Sequence, residues 1–136
     1  MKNSFLKIIF ALIFFLSPFV VFAGAEHNIS GWAWSSTIGW ISFNCINDNS
    51  CATSNYGVHK NTENTDGTLT GYAWSSNIGW IQFGGLSEFP TGGGTQAQNA
   101  NISGNNLQGW VRACAGTAAG DCSTMTSRTD GWDGWL

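Results

Sequence analysis

The stretch Ile29-Ser-Gly-Trp-Ala-Trp-Ser-Ser-Thr-Ile-Gly-Trp-Ile-Ser-Phe43 returns as Leu69-Thr-Gly-Tyr-Ala-Trp-Ser-Ser-Asn-Ile-Gly-Trp-Ile-Gln-Phe83, with ten of fifteen positions identical. A repeat of about 40 residues marks an array of small supersecondary units, each unable to bury its apolar face alone. Within each copy apolar and small or polar residues alternate with a period of two, as in a half-buried strand. Ser35-Ser-Thr-Ile38 interrupts the alternation with hydroxyl side chains that bond to their own backbone, and Gly39-Trp-Ile-Ser-Phe43 resumes it. The unit therefore reads as a β-hairpin with a short loop. Tyr56-Gly-Val-His-Lys60 supplies a third strand, so each repeat is expected to be a three-stranded up-and-down meander.

The pattern continues beyond Phe83. Gly84-Gly-Leu-Ser-Glu-Phe-Pro-Thr-Gly-Gly-Gly94 is the loosest stretch, and residues 96–102 fill the third-strand slot. Leu107-Gln-Gly-Trp-Val-Arg112 then aligns with Leu69-Thr-Gly-Tyr-Ala-Trp74, and Gly134-Trp-Leu136 with Gly79-Trp-Ile81, across a hairpin loop expanded around Cys114 and Cys122. The expected division is repeat 1 over 29–68, repeat 2 over 69–106 and a partial repeat 3 over 107–136. The last copy stops where the earlier ones still have a strand to finish, which reads as a piece of a longer array.

At the other end, Lys2 and Lys7 precede an apolar run from Ile8 to Phe22, and Val21-Phe-Ala23 has the small-residue spacing of a signal-peptidase site. Residues 1–23 are read as a secretory signal, because the run is shorter than the roughly 20 residues a spanning helix needs. No cysteine follows it, so a lipid anchor is not expected. Residues 24–136 then form the Trp-rich β-repeat region, with no membrane association after cleavage.

Loss of Lys2 and Lys7 leaves Lys60, Arg112 and Arg128 against eight carboxylates, a net charge of −5 for residues 24–136. An acidic chain with no basic cluster is a poor partner for nucleic acid or an anionic membrane. Eighteen glycines, eight tryptophans and many Asn, Ser and Thr residues fit an all-β chain rather than a helical one. Cys45 and Cys51, and Cys114 and Cys122, are close pairs in polar stretches of an exported chain, which predicts two local disulfides. A four-cysteine zinc site would need C-x-x-C pairs, and none is present.

The two faces of the hairpin carry different residues. Ile29, Gly31, Ala33, Ile41 and Phe43 make an apolar face in both copies, the expected core. The opposite face carries Trp32, Trp34 and Trp40, with Tyr72, Trp74 and Trp80 in the second copy and Ser42 or Gln82 beside them. These six aromatics are the candidate ligand-stacking residues; the competing reading packs them against a neighbouring repeat. Gly31, Gly71 and Gly109, and Gly39, Gly79 and Gly134, recur beside the aromatics, and cross-strand Trp rings are expected to cover them.

No catalytic set can be assembled. His27 lies near the new N-terminus in a tail expected to be disordered, and His59 stands alone on the third strand. Asp48, Asp66, Asp130 and Asp133 lack the alternating oxygen-ligand spacing of a calcium loop and read as turn residues. Asn28-Ile-Ser30 and Asn101-Ile-Ser103 match the glycosylation acceptor pattern, which is read as chance behind a bacterial signal.

With Gly31-Trp-Ala-Trp-Ser-Ser-Thr-Ile-Gly-Trp-Ile-Ser-Phe43, its second copy and the closing Gly131-Trp-Asp-Gly-Trp-Leu136 quoted, the chain resembles a group of Trp-rich repeat proteins. These carry "GWAWS-x-NIGWISF"-like motifs in predicted secreted or surface proteins of bacteria, many from uncultivated lineages. The resemblance implies secretion and modular surface architecture, and it implies no reaction. The disulfide-tied third hairpin departs from the simple motif.

The expectation is thus an all-β protein of tandem antiparallel hairpins or meanders, forming a small sheet, a sandwich or an open array. Its expected role is non-catalytic: structural or adhesive at the bacterial envelope, with other surface proteins or polysaccharide as partners and no cofactor or metal. A carbohydrate-binding module using the aromatic row is the alternative, and an appendage of a secreted enzyme ranks last.

Overall fold

The computed structural model describes residues 27–61, 66–91 and 97–136. The signal read over 1–23 lies outside the described residues, as do parts of the turn after Asn61 and of the Gly-rich stretch before Ala97. The chain is all-β: β1 (Trp32–Ser35), β2 (Gly39–Ser42), β3 (Val58–Lys60), β4 (Gly67–Ser75), β5 (Gly79–Phe83), β6 (Asn101–Ser103), β7 (Asn106–Gln108) and β8 (Arg112–Ala113). These strands form one open, antiparallel sheet whose main path runs β1-β2-β4-β5-β8. Among the described residues helix is confined to two 3-10 turns, Cys45–Asp48 and Cys114–Gly116, and each opens a disulfide loop, Cys45–Cys51 and Cys114–Cys122.

The hairpins sit where the alternation places them. In β1–β2 Trp34 faces Trp40 and Ser35 faces Gly39; in β4–β5 Trp74 faces Trp80 and Ser75 faces Gly79. The loop hydroxyls turn the chain as their chemistry predicts: Ser35 Oγ accepts from the N–H groups of Thr37 (3.3 Å) and Ile38 (3.4 Å), and Ser75 Oγ from that of Asn77 (3.3 Å). Further along, Arg112 pairs with Trp135, Val111 and Leu136 exchange hydrogen bonds of 3.1 and 3.0 Å, and Ala113 N–H donates to Gly134 (2.8 Å). Neighbouring hairpins join edge to edge, with Ser42 opposite Trp74 and Gln82 opposite Arg112. At the tips, Asn77 Nδ2 donates to the Ile38 carbonyl (2.7 Å).

The expected three-stranded meander is met only in part: just past β2, Asn44 bridges Gly57 antiparallel, with Val58 N–H donating to Phe43 (2.9 Å) and Cys45 N–H to Tyr56 (3.0 Å), but β3 itself pairs elsewhere. β2 pairs with β4 directly, and β3 lies end to end with β2 along the same edge of β4, with Val58 opposite Gly71 and Lys60 opposite Leu69. The reason is the length of β4. Its nine residues exceed the four of β2, so one side holds β3 and β2 in series while the other holds β6 and β5. Val58 also receives Ile29 on its far side through a 3.1 Å hydrogen bond from Ile29 N–H.

The core lies on the predicted face. Val58, Leu69, Ala73, Ile81, Phe83 and Ala100 are buried together, and Ile29, Ile41, Phe43, Val111 and Leu136 pack on them half-buried. Phe43 and Phe83, equivalent in the two sequence copies, meet edge to face at 5.9 Å.

The strand glycines have a different role from the one expected. Nothing lies within 4 Å of the side-chain position at Gly31, and only Gly79 has a Trp ring near it, Trp74 at 4.0 Å. Gly71 and Gly109 have φ of +98° and +91°, a region L-residues avoid, and a β-carbon at either would collide with a carbonyl oxygen, of Gly57 and Asn99 respectively. They admit a neighbouring backbone rather than a ring. Tyr72 N–H uses the approach to donate to Gly57 at 3.0 Å.

Side-chain amides complete the sheet where strands run out. Asn47 accepts from Gly31 N–H (3.0 Å) and donates to its carbonyl (2.6 Å); Asn28 does the same for Lys60 (2.6 and 2.9 Å) and Asn99 for Leu86 (2.9 and 3.2 Å). Each amide acts as a one-residue strand, satisfying both polar groups of one peptide position. His27, expected in a disordered tail, is placed: its side chain lies against Gly57 and its carbonyl accepts from Asn44 Nδ2 (3.4 Å).

Candidate functional site

All six candidate aromatics lie on the sheet face opposite the core, but in two different settings. Trp32, Trp34 and Trp40 of the first hairpin are 50, 62 and 59 % exposed. Trp32 and Trp40 stand edge to face with centroids 6.5 Å apart, and an almost wholly apolar notch of about 340 Å³ lies between them. Tyr72 is also exposed, whereas Trp74 and Trp80 are half-buried and meet at 4.6 Å. The rings are therefore not a single flat row. They form edge-to-face groups, the arrangement favoured by the ring quadrupole.

The difference between the hairpins comes from the first disulfide loop. Residues 44–56 fold back over the aromatic face, and Tyr56 packs on Trp80 at 5.3 Å. The Tyr56 hydroxyl donates to Ser42 Oγ (2.8 Å), which also accepts from Asn47 Nδ2 (2.9 Å) and donates to the Asn44 carbonyl (3.1 Å). Ser42, whose alternation put it on a wet face, is fully buried by this network. Burial raises the Tyr56 phenol above its ordinary value of 10.0; the hydrogen bond to Ser42 opposes the shift and the Asp48 carboxylate adds to it. Tyr56 is thus a neutral donor at every physiological pH.

The second disulfide loop covers the far end of the same face. Arg112, in the position that Trp74 holds in the previous hairpin, is fully buried. Its guanidinium donates to the carbonyls of Asp133 (3.0 Å) and Met125 and to Ser127 Oγ (2.8 Å), and it lies 4.8 Å over the Trp135 ring. Trp135 also touches Trp110 at 6.3 Å and Phe89 at 5.6 Å.

Between the two loops the face is open. A cleft of about 400 Å³ has Tyr72 and Trp80 in its lining, with Ser54, Asn55 and Tyr56 from the first loop and Cys114 and Asp121 from the second. Hydrogen bonds from Ser123, including one from its N–H at 2.9 Å, hold the exposed Asp121 carboxyl below its ordinary value of 3.8. A smaller hollow of about 270 Å³ adjoins it, lined by Asp48, Tyr56, Trp74 and Trp80 among others.

Tyr56, Asn55 and Asp121 were not singled out by sequence, where Tyr56 read as the start of the third strand and the other two as loop residues; Trp135 was legible through the match of Gly134-Trp-Leu136 to Gly79-Trp-Ile81. Among the described residues no three His, Cys, Asp or Glu side chains gather as a metal-binding group. No helix among the described residues is long and apolar enough to cross a membrane. No protein-family model, curated protein or solved structure matches the chain.

Proposed function

We propose that the protein is a non-catalytic, secreted or cell-surface array of hairpin repeats with a structural or adhesive role, making contact through the aromatic face of its first hairpin. The observation that carries this reading is the exposure of Trp32, Trp34 and Trp40 together on a paired, registered hairpin. Large rings held rigidly in water give contact area at little entropic cost, which is the behaviour of an interaction surface. The repeat reading draws support from three cross-strand pairings at matching sequence positions, Trp34–Trp40, Trp74–Trp80 and Arg112–Trp135. Export draws support from two formed disulfides, which persist in oxidising compartments.

The test is retention of the oxidised protein on intact bacterial cells. The double variant Trp34→Ala/Trp40→Ala, folded by circular dichroism, is expected to lose most of the retention; unchanged retention refutes contact through this face. A second reading, carbohydrate binding, is favoured by the apolar notch between Trp32 and Trp40. A saturable change in Trp fluorescence on titration with cell-wall and extracellular polysaccharides supports it, and a flat response across the panel removes it.

A further inference from the structure

The cleft between the disulfide loops combines features that the open first hairpin lacks. Its lining includes Tyr72, which is 42 % exposed, and the half-buried Trp80, while Asn55 and Asp121 stand exposed on opposite loops. At about 400 Å³ it falls within the ~300–1,000 Å³ typical of small-molecule sites. Aromatic surface beside amide and carboxylate groups matches one ligand chemistry in particular. A pyranose has an apolar C–H face that stacks on a ring and an equatorial belt of hydroxyls that needs both donors and acceptors.

We propose that this cleft is a saccharide subsite, in which Tyr72 and Trp80 present ring surface to a pyranose while Asn55 and Asp121 bond its hydroxyls. The proposal deepens the carbohydrate reading above but places the sugar on the second hairpin instead of the first. The carboxylates set the ligand's charge. Asp121 lines the cleft and Asp48 the adjoining hollow, so a neutral sugar is accepted and a uronate or sulfated chain is repelled. An ionised carboxylate accepts hydroxyl hydrogen bonds more strongly than a neutral group would. Asp121 lies inside the loop closed by Cys114–Cys122, and Asn55 follows closely on the loop closed by Cys45–Cys51, so a disulfide braces the chain beside each wall.

The experiment is isothermal titration of the oxidised protein, exported by its own leader, with cellohexaose, chitohexaose and a galacturonate hexamer. Binding of a neutral hexamer is expected, weakened at least tenfold by Tyr72→Ala and by Asp121→Asn, unchanged by Leu107→Ala at an exposed position outside the cleft, with no heat from the galacturonate. Asp121 and Tyr72 are exposed, and circular dichroism checks that each variant is folded. Binding that survives both cleft variants but is lost in Trp34→Ala overturns the cleft and leaves the first-hairpin sugar reading standing. Equal binding of the galacturonate overturns the proposed charge selection and with it the role of Asp121. Absence of binding to every hexamer overturns the subsite, while the adhesive reading is judged separately by cell retention.

Discussion

Arg112 shows how one buried residue can organise a whole loop. Where the first two hairpins set Trp against Trp, the third sets Arg112 against Trp135, and the guanidinium's planar fork gathers three partners from the expanded loop. Arg112→Ala is expected to cost about 2–4 kcal/mol, through orphaned carbonyls and a void, measured by urea denaturation. Arg112→Lys should recover little, because an ammonium cannot span the same fork. Tyr56 makes a pH-dependent contribution. Its folded pKa is raised, so the stabilisation is complete below its ordinary value of 10.0 and is lost as pH rises through the folded value. Denaturation midpoints followed from pH 9 upward should fall in the wild type and fall less in Tyr56→Phe.

At the scale of elements, the hairpins were legible and their covering was not. Period-two alternation gave the faces of the strand residues in both hairpins, and the serine-rich loops announced their own turns. The burial of Ser42 was not readable, because it depends on Tyr56 returning fourteen residues later to bond it. Nothing in the sequence marked Asn28, Asn47 or Asn99 for a special part, the last falling inside an expected strand, whereas in the fold their side chains extend the sheet. Their partners are set by tertiary contact, which local sequence does not encode. Two strand glycines separate backbone approach from conformational strain. Gly71→Ala is expected to cost about 2 kcal/mol or more, since it adds a collision to an unfavourable φ, while Gly31→Ala meets only the φ penalty, about 1–2 kcal/mol. Equal losses in thermal unfolding would mean that the close approach of the Gly57 carbonyl to Gly71 is not what demands glycine there.

The whole molecule is a thin sheet with a one-sided core, held at its other face by two loops. The ion pair of Arg128 with Asp130 is exposed and adds little to stability. The disulfides carry a larger share. Each closes a short loop and contributes about 2–3 kcal/mol on the chain-entropy model. Against a total of ~5–15 kcal/mol, reduction of both should lower the melting temperature by roughly 20 °C or more. Calorimetry with and without reductant measures this directly, and a shift of only a few degrees would mean that the amide and aromatic contacts hold the loops unaided.

The central position of β4, flanked on both edges along most of its length, also sets an order in time. Amide protons there point to a paired neighbour on one edge or the other and exchange with solvent only after that neighbour has parted, whereas those on the outer side of β1 meet no strand among the described residues. Opening therefore proceeds from the rim inward, over lifetimes that lengthen toward Tyr72 and Trp74. Tyr72 and Trp74 ride on the slowest strand and Trp32 and Trp34 on the rim, so the rings of the first hairpin come loose long before those of the second.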